Sequence, residues 1–285
     1  MARNYNRVCR LLVQSSSEAL QIEGLRIAFE IIKDLYGHPN LARISVYNLS
    51  ITSRNKIQDE FEDIIFNVGY SGRVKTLYVG QIKNVTHVKN GPDIITTIYS
   101  GDGQRDFEQS FSSFTLAEGS KLGDIINRVV SDFGETTLGL VQGVDTNQGK
   151  LLGYTVSKPT KNVLNELGNE YNFDWTIEQG MLKIISRDSF EDVEFKITPN
   201  TGMLNTPAIT EIGVDVTTLL NPEVLPGRTV YVSSETTTLN IQNLEFRDRA
   251  TVRTNADGRY KVQKVVYSGD THTDEWYNML TCKAL

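Results

Sequence analysis

GRYKVQKVVYSGDTHTDEWYNMLTC, residues 258 to 282, decides how this chain is read. It runs as strand, polar turn, strand: Gly258-x-Tyr260-x-Val262 opens it, Gly269-Asp270-Thr271 turns it, and Glu275-Trp276-Tyr277 starts the return. Asp270, His272 and Asp274 sit at alternating positions. A histidine and two carboxylates so spaced could converge on a divalent cation, or act as acid and base. Against that, the chain has only three histidines, His38, His87 and His272, with no HExxH or paired spacing. A catalytic zinc usually takes three protein ligands. Asp and Thr in such a turn ordinarily bond local backbone groups, which makes Asp270 and His272 turn and surface groups. Trp276 and Tyr277 then begin a strand.

Working outward, a second stretch has the same texture. GQIKNVTHVKNGPDIITTIYS, from Gly80, faces the first when Gly80 is matched with Gly258, and both read as strand, polar turn, strand. The identity of IYSGDG (98 to 103) with VYSGDT (266 to 271) looks accidental, because it places one copy at the end of a hairpin and the other in its middle. Around Gly80, alternation in LRIAFEI (25 to 31) and ARISVYNLS (42 to 50) gives half-buried strands. IIFNVGY, TLYVGQIKNVTHV and DIITTIYS give hairpins divided by Ser71-Gly72 and Asn90-Gly91-Pro92. Ser50, Thr52 and Ser53 offer caps for a short polar helix in SRNKIQDEFE. The expected unit over 22 to 100 is mainly antiparallel β.

The texture changes near Thr115. In SKLGDIINRVVSDFG, Leu122, Ile125, Ile126, Val129, Val130 and Phe133 fall at helical spacing, with Ser120 as cap and Gly134 as close. KPTKNVLNELGNEYNF repeats the helical pattern with Thr160 as cap, and FDWTIEQGMLKIIS reads as a hairpin turning at Glu178-Gln179-Gly180. From Glu194 onward β texture returns in FKITPNTG, AITEIGVDVTTLL, GRTVYVSS and ATVRT, broken by the loop NPEVLPG. TTTLNIQNLEFRDR reads as a long loop with weak strand or helix character. The fold class is therefore α+β, mainly β: residues 1–104 and 193–285 as two β units flanking a small α+β insert, 105–192.

Composition bounds the function. At 285 residues, 39% hydrophobic and 22% charged, the chain has the make-up of an ordinary globular protein. A formal charge of -6 with scattered Lys and Arg disfavours tight nucleic-acid binding. The N-terminus lacks the apolar core of a secretory signal and no stretch is long enough to span a membrane, so synthesis in the cytosol is expected. Cys9 and Cys282 match no metal spacing and read as buried or partly buried free thiols. GxSxG, GxxxxGK[ST] and GxGxxG are all missing. Glu166 and Glu170, one helical turn apart, could form a hydrolytic pair but suit a solvated face. Trp175 and Trp276 read as core, with interface anchors as the other possibility.

Order and coverage together resemble the baseplate hub proteins of contractile-tailed phages, the phage late control D or phage protein D family. ISVYNLS with YVGQIKNV and GPDIITTIYSGDG resembles the first tail-tube-like domain; LAEGSKLGDIINRVVSDFG with SKPTKNVLNELGNEYNFDWTIEQGMLKII resembles the inserted domain. TGMLNTPAITEIGVDVTTLLNPEVLPGRTVYVSS with GRYKVQKVVYSGDTHTDEWYNMLTC resembles the second tube-like domain. The resemblance implies a homotrimer whose paired β domains make a pseudo-sixfold ring between a hexameric tail tube and a trimeric central spike, beside other baseplate proteins. DNA would pass through its lumen without specific binding. It implies a place in the virion tail, assembled in the host cytoplasm, with no catalytic, metal or cofactor-binding residue and no cofactor. The chain ends at Leu285 after the closing strand, so the spike is expected to be a separate protein. A tube-initiator or adaptor ring, the hub of a phage-like injection machine, and a tail-associated hydrolase are the alternatives.

Overall fold

In the computed structural model, which describes residues 6–149, 153–234, 238–239 and 256–285, alternation in sequence becomes alternation in burial. The first half contains β1 (Arg7–Gln14), β2 (Ala19–Ile22), β3 (Ile27–Asp34), β4 (Leu41–Tyr47), α1 (Ile51–Asp59), β5 (Asp63–Tyr70), β6 (Arg73–Asn90) and β7 (Asp93–Gly101). In β3, Ile27, Phe29 and Ile31 are buried while Ala28, Glu30 and Ile32 face the other way and are part exposed. Ser50 caps α1 as expected, its hydroxyl accepting the Ser53 N–H at 3.1 Å. β1 and β2 were not foreseen: the run Leu11-Leu12-Val13 hides a period of two that buries Cys9, Leu11 and Val13.

The middle of the chain contains α2 (Gln104–Gln109), β8 (Phe111–Leu116), α3 (Leu122–Val130), β9 (Thr137–Gln142), β10 (Tyr154–Pro159), α4 (Thr160–Glu170), β11 (Phe173–Glu178) and β12 (Met181–Ser186). α3 starts and stops differently from the sequence reading. The Ser120 hydroxyl donates to Ala117 O at 2.7 Å, and it is Asp124 whose carboxylate accepts the Lys121 N–H at 3.0 Å. Gly134 does not close the helix, which ends at Val130. Instead the Gly134, Glu135 and Thr136 N–H groups all donate to the Asp106 carboxylate. Thr160 is the first residue of α4 rather than its cap. The β11–β12 hairpin turns at Gln179 and Gly180, with φ of 53° and 75°, while Glu178 belongs to the strand.

The last part contains β13 (Glu194–Ile197), a 3-10 turn (Pro199–Thr201), β14 (Ala208–Ile209), β15 (Gly213–Leu219), β16 (Thr229–Val232), β17 (Thr238–Leu239), β18 (Gly258–Asp270) and β19 (Trp276–Ala284). AITEIGVDVTTLL is thus two strands, because Thr210 to Ile212 turn between β14 and β15. The stretch read as a long loop, 236 to 249, lies outside the described residues except for Thr238–Leu239, as does ATVRT, 250 to 254.

Among the described residues, fourteen strands form one sheet whose main path is β17-β14-β15-β19-β18-β3-β4-β7-β6-β5-β1-β2. It is largely antiparallel, as expected of the two β units, but β13–β16 and β14–β17 are parallel. The two β blocks meet inside this sheet: Lys264 to Asp270 of β18 pair with Asp34 to Ala28 of β3. A single buried cluster runs across the junction, where the Phe29 ring meets Phe66 edge-on at 4.9 Å and Trp276 at 5.6 Å. Gly269 permits that approach, since a Cβ there would lie 2.5 Å from Phe29 and 2.8 Å from Trp276. Both long hairpins carry a bulge in their first strand, after Ile82 in β6 and after Val262 in β18. Matching the bulges moves the register two residues from Gly80–Gly258, which preserves which side chains face inward. A second core belongs to the middle segment, with Leu122, Ile126, Val163, Leu164, Trp175 and Leu182 among its buried members.

Candidate functional site

The turn after β18 is clamped from two sides. Asp270, expected at the surface, is 4% exposed: its carboxylate takes a forked bond from Arg26, at 2.7 Å from Nη2 and 3.1 Å from Nε, and accepts the His272 N–H at 2.8 Å. Burial alone would raise this carboxyl, but the Arg26 and His272 bonds outweigh it and hold it below the usual aspartate range. Arg7 donates to the backbone oxygens of Asp270, Thr273 and Asp274, and its guanidinium lies over the Trp276 ring at 5.4 Å. Asp270 still belongs to β18, and Arg26 reaches it from the residue just before β3, a partnership 244 residues apart in sequence.

The other sequence candidates are dispersed. His272 Nδ1 lies 2.9 Å from Thr271 Oγ1, His87 Nδ1 3.0 Å from Thr96 Oγ1, and His38 Nε2 3.4 Å from the Asp34 carboxylate. Among the described residues no three His, Cys, Asp or Glu side chains gather as metal ligands. Asp274 is exposed, as are Glu166 and Glu170 on α4, where Glu166 takes both its bonds from Lys158 at 2.8 Å. Trp175 and Trp276 are both buried, in the second and first cores respectively. Cys9 and Cys282 are buried free thiols in the first core, their ionisation pushed up by burial.

What the sequence reading missed is a charged joint where the middle segment meets the sheet. Glu178 pairs with Lys33 of β3 at 3.1 Å and with Lys183 of β12 at 3.4 Å; Lys183 also pairs with Glu191, which pairs with Arg228 at 3.2 Å. Lys33 is 1% exposed. Burial works against the Glu178 charge, yet the two lysines bring its carboxyl down to about 2. Beside it, Asp102, in the turn just after β7, accepts the Gln179 N–H at 2.6 Å and the Gly180 N–H at 3.1 Å. Burial pushes this carboxyl up to about 7, against the pull of those N–H groups and Lys33. Asn40 Nδ2 donates to Ile177 O at 2.7 Å and the Gly37 N–H to Trp175 O at 3.0 Å. The only local signal was a lysine on the apolar face of β3, which a sequence reads as a strand end.

The sheet face opposite the first core carries an apolar row across the junction. Met279, Val266, Ile32 and Leu41 are successive cross-strand partners on β19, β18, β3 and β4, with Met279 and Leu41 41% and 44% exposed. The next row outward places Glu30 beside Arg43 and Arg43 beside Tyr99. No helix among the described residues is long and apolar enough to cross a membrane.

Comparison with solved structures finds this fold elsewhere. The 43 kDa tail protein of prophage MuSo2 from Shewanella oneidensis is 9% identical with a TM-score of 0.64, over 96% of both chains. A tail protein from Neisseria meningitidis MC58 is 10% identical with a TM-score of 0.62, over 98% of this chain and 97% of that one. The E. coli c3393 protein, a type VI secretion system component, is 10% identical with a TM-score of 0.62, over 96% of this chain and 76% of its own. No curated protein matches by sequence. The family model for baseplate hub gp41 matches residues 9–244, from β1 through the middle segment and into the returning strands. With that match covering the first half of the sheet, the middle segment and the returning strands up to β17, the chain belongs to the baseplate hub gp41 family.

Proposed function

We propose that three copies of this chain close the structural ring at the centre of a contractile-tail baseplate. Each copy supplies two tube-like β units, 1–104 and 193–285, with 105–192 as the inserted unit. Six near-equivalent units then face a hexameric tail tube, and the threefold axis matches a trimeric central spike. The observation that carries this reading is the pairing of β3 with β18, which joins the two β units in a single sheet, as two neighbouring positions of such a ring would require. Family membership supports the hub role, and a scaffold of this kind works without catalysis or cofactor.

The face bearing Met279, Ile32 and Leu41 is the proposed wall of the conduit. Its cross-strand neighbours Glu30–Arg43 and Asp34–Lys264 are of opposite sign, which limits the net positive charge available there to hold DNA phosphates. The same ring would serve a phage-like injection machine, a reading that the likeness to the secretion-system component supports; the neighbouring genes separate the two. Light scattering of the purified chain, alone and with its spike protein, is expected to give a trimer. A monomer that persists under both conditions overturns the proposal.

A further inference from the structure

A cleft of about 380 Å³ lies between α4, β11 and the segment following β3, outside the surfaces used above. Tyr36, Asn165, Asn169, Asp174, Trp175 and Arg187 line it. Its polar groups hold one another in place. Trp175 Nε1 donates to Asn165 Oδ1 at 2.9 Å, Arg187 Nε to Asp174 Oδ1 at 2.8 Å, and Arg187 Nη2 to Asn169 Oδ1 at 3.0 Å. Each amide therefore has its oxygen engaged and its orientation fixed. None of these bonds uses Asn165 Nδ2, Asn169 Nδ2, Asp174 Oδ2 or Arg187 Nη1. The cleft thus offers both donors and an acceptor within one preset frame, and its only charged pair, Asp174 and Arg187, cancels.

At the rim, Tyr36 is 54% exposed although its backbone is fixed by a bond from its N–H to the Asp34 carboxylate at 3.0 Å. A large exposed ring beside a polar cleft suits a ligand with one apolar face and several hydroxyls. An ion is not selected by cancelling charges, and an apolar ligand would leave the amide N–H groups unpaired. Hydroxyls both donate and accept, so vicinal hydroxyls of a sugar ring satisfy an adjacent carboxylate, guanidinium and amide together. We propose that this cleft binds one pyranose unit of a neutral saccharide, with Tyr36 as its stacking platform. The proposal stands apart from the ring reading and survives or fails without it.

Saturation-transfer NMR on the whole chain tests it, with glucose, galactose and N-acetylglucosamine as probes and glucuronate as the charged comparison. At least one neutral sugar is expected to bind saturably at millimolar concentration, glucuronate more weakly than glucose. Tyr36→Ala and Asn169→Ala should each weaken binding about tenfold while circular dichroism stays unchanged. Because the Tyr36 ring is exposed, Tyr36→Ala keeps the test decisive even where Asn169→Ala unfolds. Absence of saturable binding by all three neutral sugars overturns the assignment, and so does undiminished binding by Tyr36→Ala.

Discussion

Asp102 and Asp270 each end a Tyr-Ser-Gly-Asp run, and their surroundings push the two carboxyls in opposite directions. The runs are not equivalent: Tyr99 is 40% exposed on the outer face, whereas Tyr267 is fully buried and donates to Val224 O at 2.5 Å. For Asp102 the folded form binds its proton more tightly than the unfolded chain. Its contribution to stability therefore falls as pH rises from the ordinary aspartate value of about 3.9 towards about 7. For Asp270 the folded value is depressed, so its stabilisation is present above the unfolded value and is lost as pH falls through the folded one. Carboxyl-carbon NMR should show Asp102 titrating near neutrality and Asp270 below its ordinary range; an Asp102 midpoint under that range refutes the first half. Asp270→Ala removes the forked Arg26 bond and the His272 partner, and should cost about 1–3 kcal/mol in urea unfolding. Glu178→Ala leaves the buried Lys33 without its carboxylate, for which about 3–5 kcal/mol is the expected loss.

At the scale of elements, legibility tracked how far a partner lies along the chain. β3, β4, the β6–β7 hairpin and the β11–β12 hairpin were readable because their periodicity and turn residues are local. β1 was missed behind three consecutive apolar residues, and β9 because Leu138-Gly139-Leu140 is largely exposed on a strand added parallel to β12. The end of α3 was misplaced because the loop after it is organised by Asp106, from the preceding helix. Likewise the charged joint draws on Lys33, Asp102, Glu178, Lys183 and Arg228, spread over most of the sequence, and no spacing rule reports it. The hairpin that opened the reading was recognised as strand, turn and strand, but its tight contact at Gly269 needed the structure. Gly269→Ala would push a methyl against Phe29 and Trp276, and a loss of about 1–3 kcal/mol in thermal or urea melting is expected. An unchanged midpoint would mean that the two rings separate freely.

For the molecule as a whole, two cores and one large sheet predict how it comes apart. Ile44→Ala and Val265→Ala lie in different halves but in the same buried cluster, so both should lower one shared transition, by about 2–5 kcal/mol for the isoleucine. Leu164→Ala, in the second core, should instead speed hydrogen exchange chiefly across α3, α4 and β11. Separate melting of the two sheet halves would contradict a single cooperative body. The β3–β18 pairing also dictates an order of events during synthesis. β3 leaves the ribosome well before Lys264 to Asp270, the residues that cover its edge. Between those two events the nascent chain displays an uncapped apolar strand, open to pairing with other nascent copies. Termination between the two leaves a product prone to aggregate, which makes the β18–β19 hairpin the element that closes this edge in every subunit.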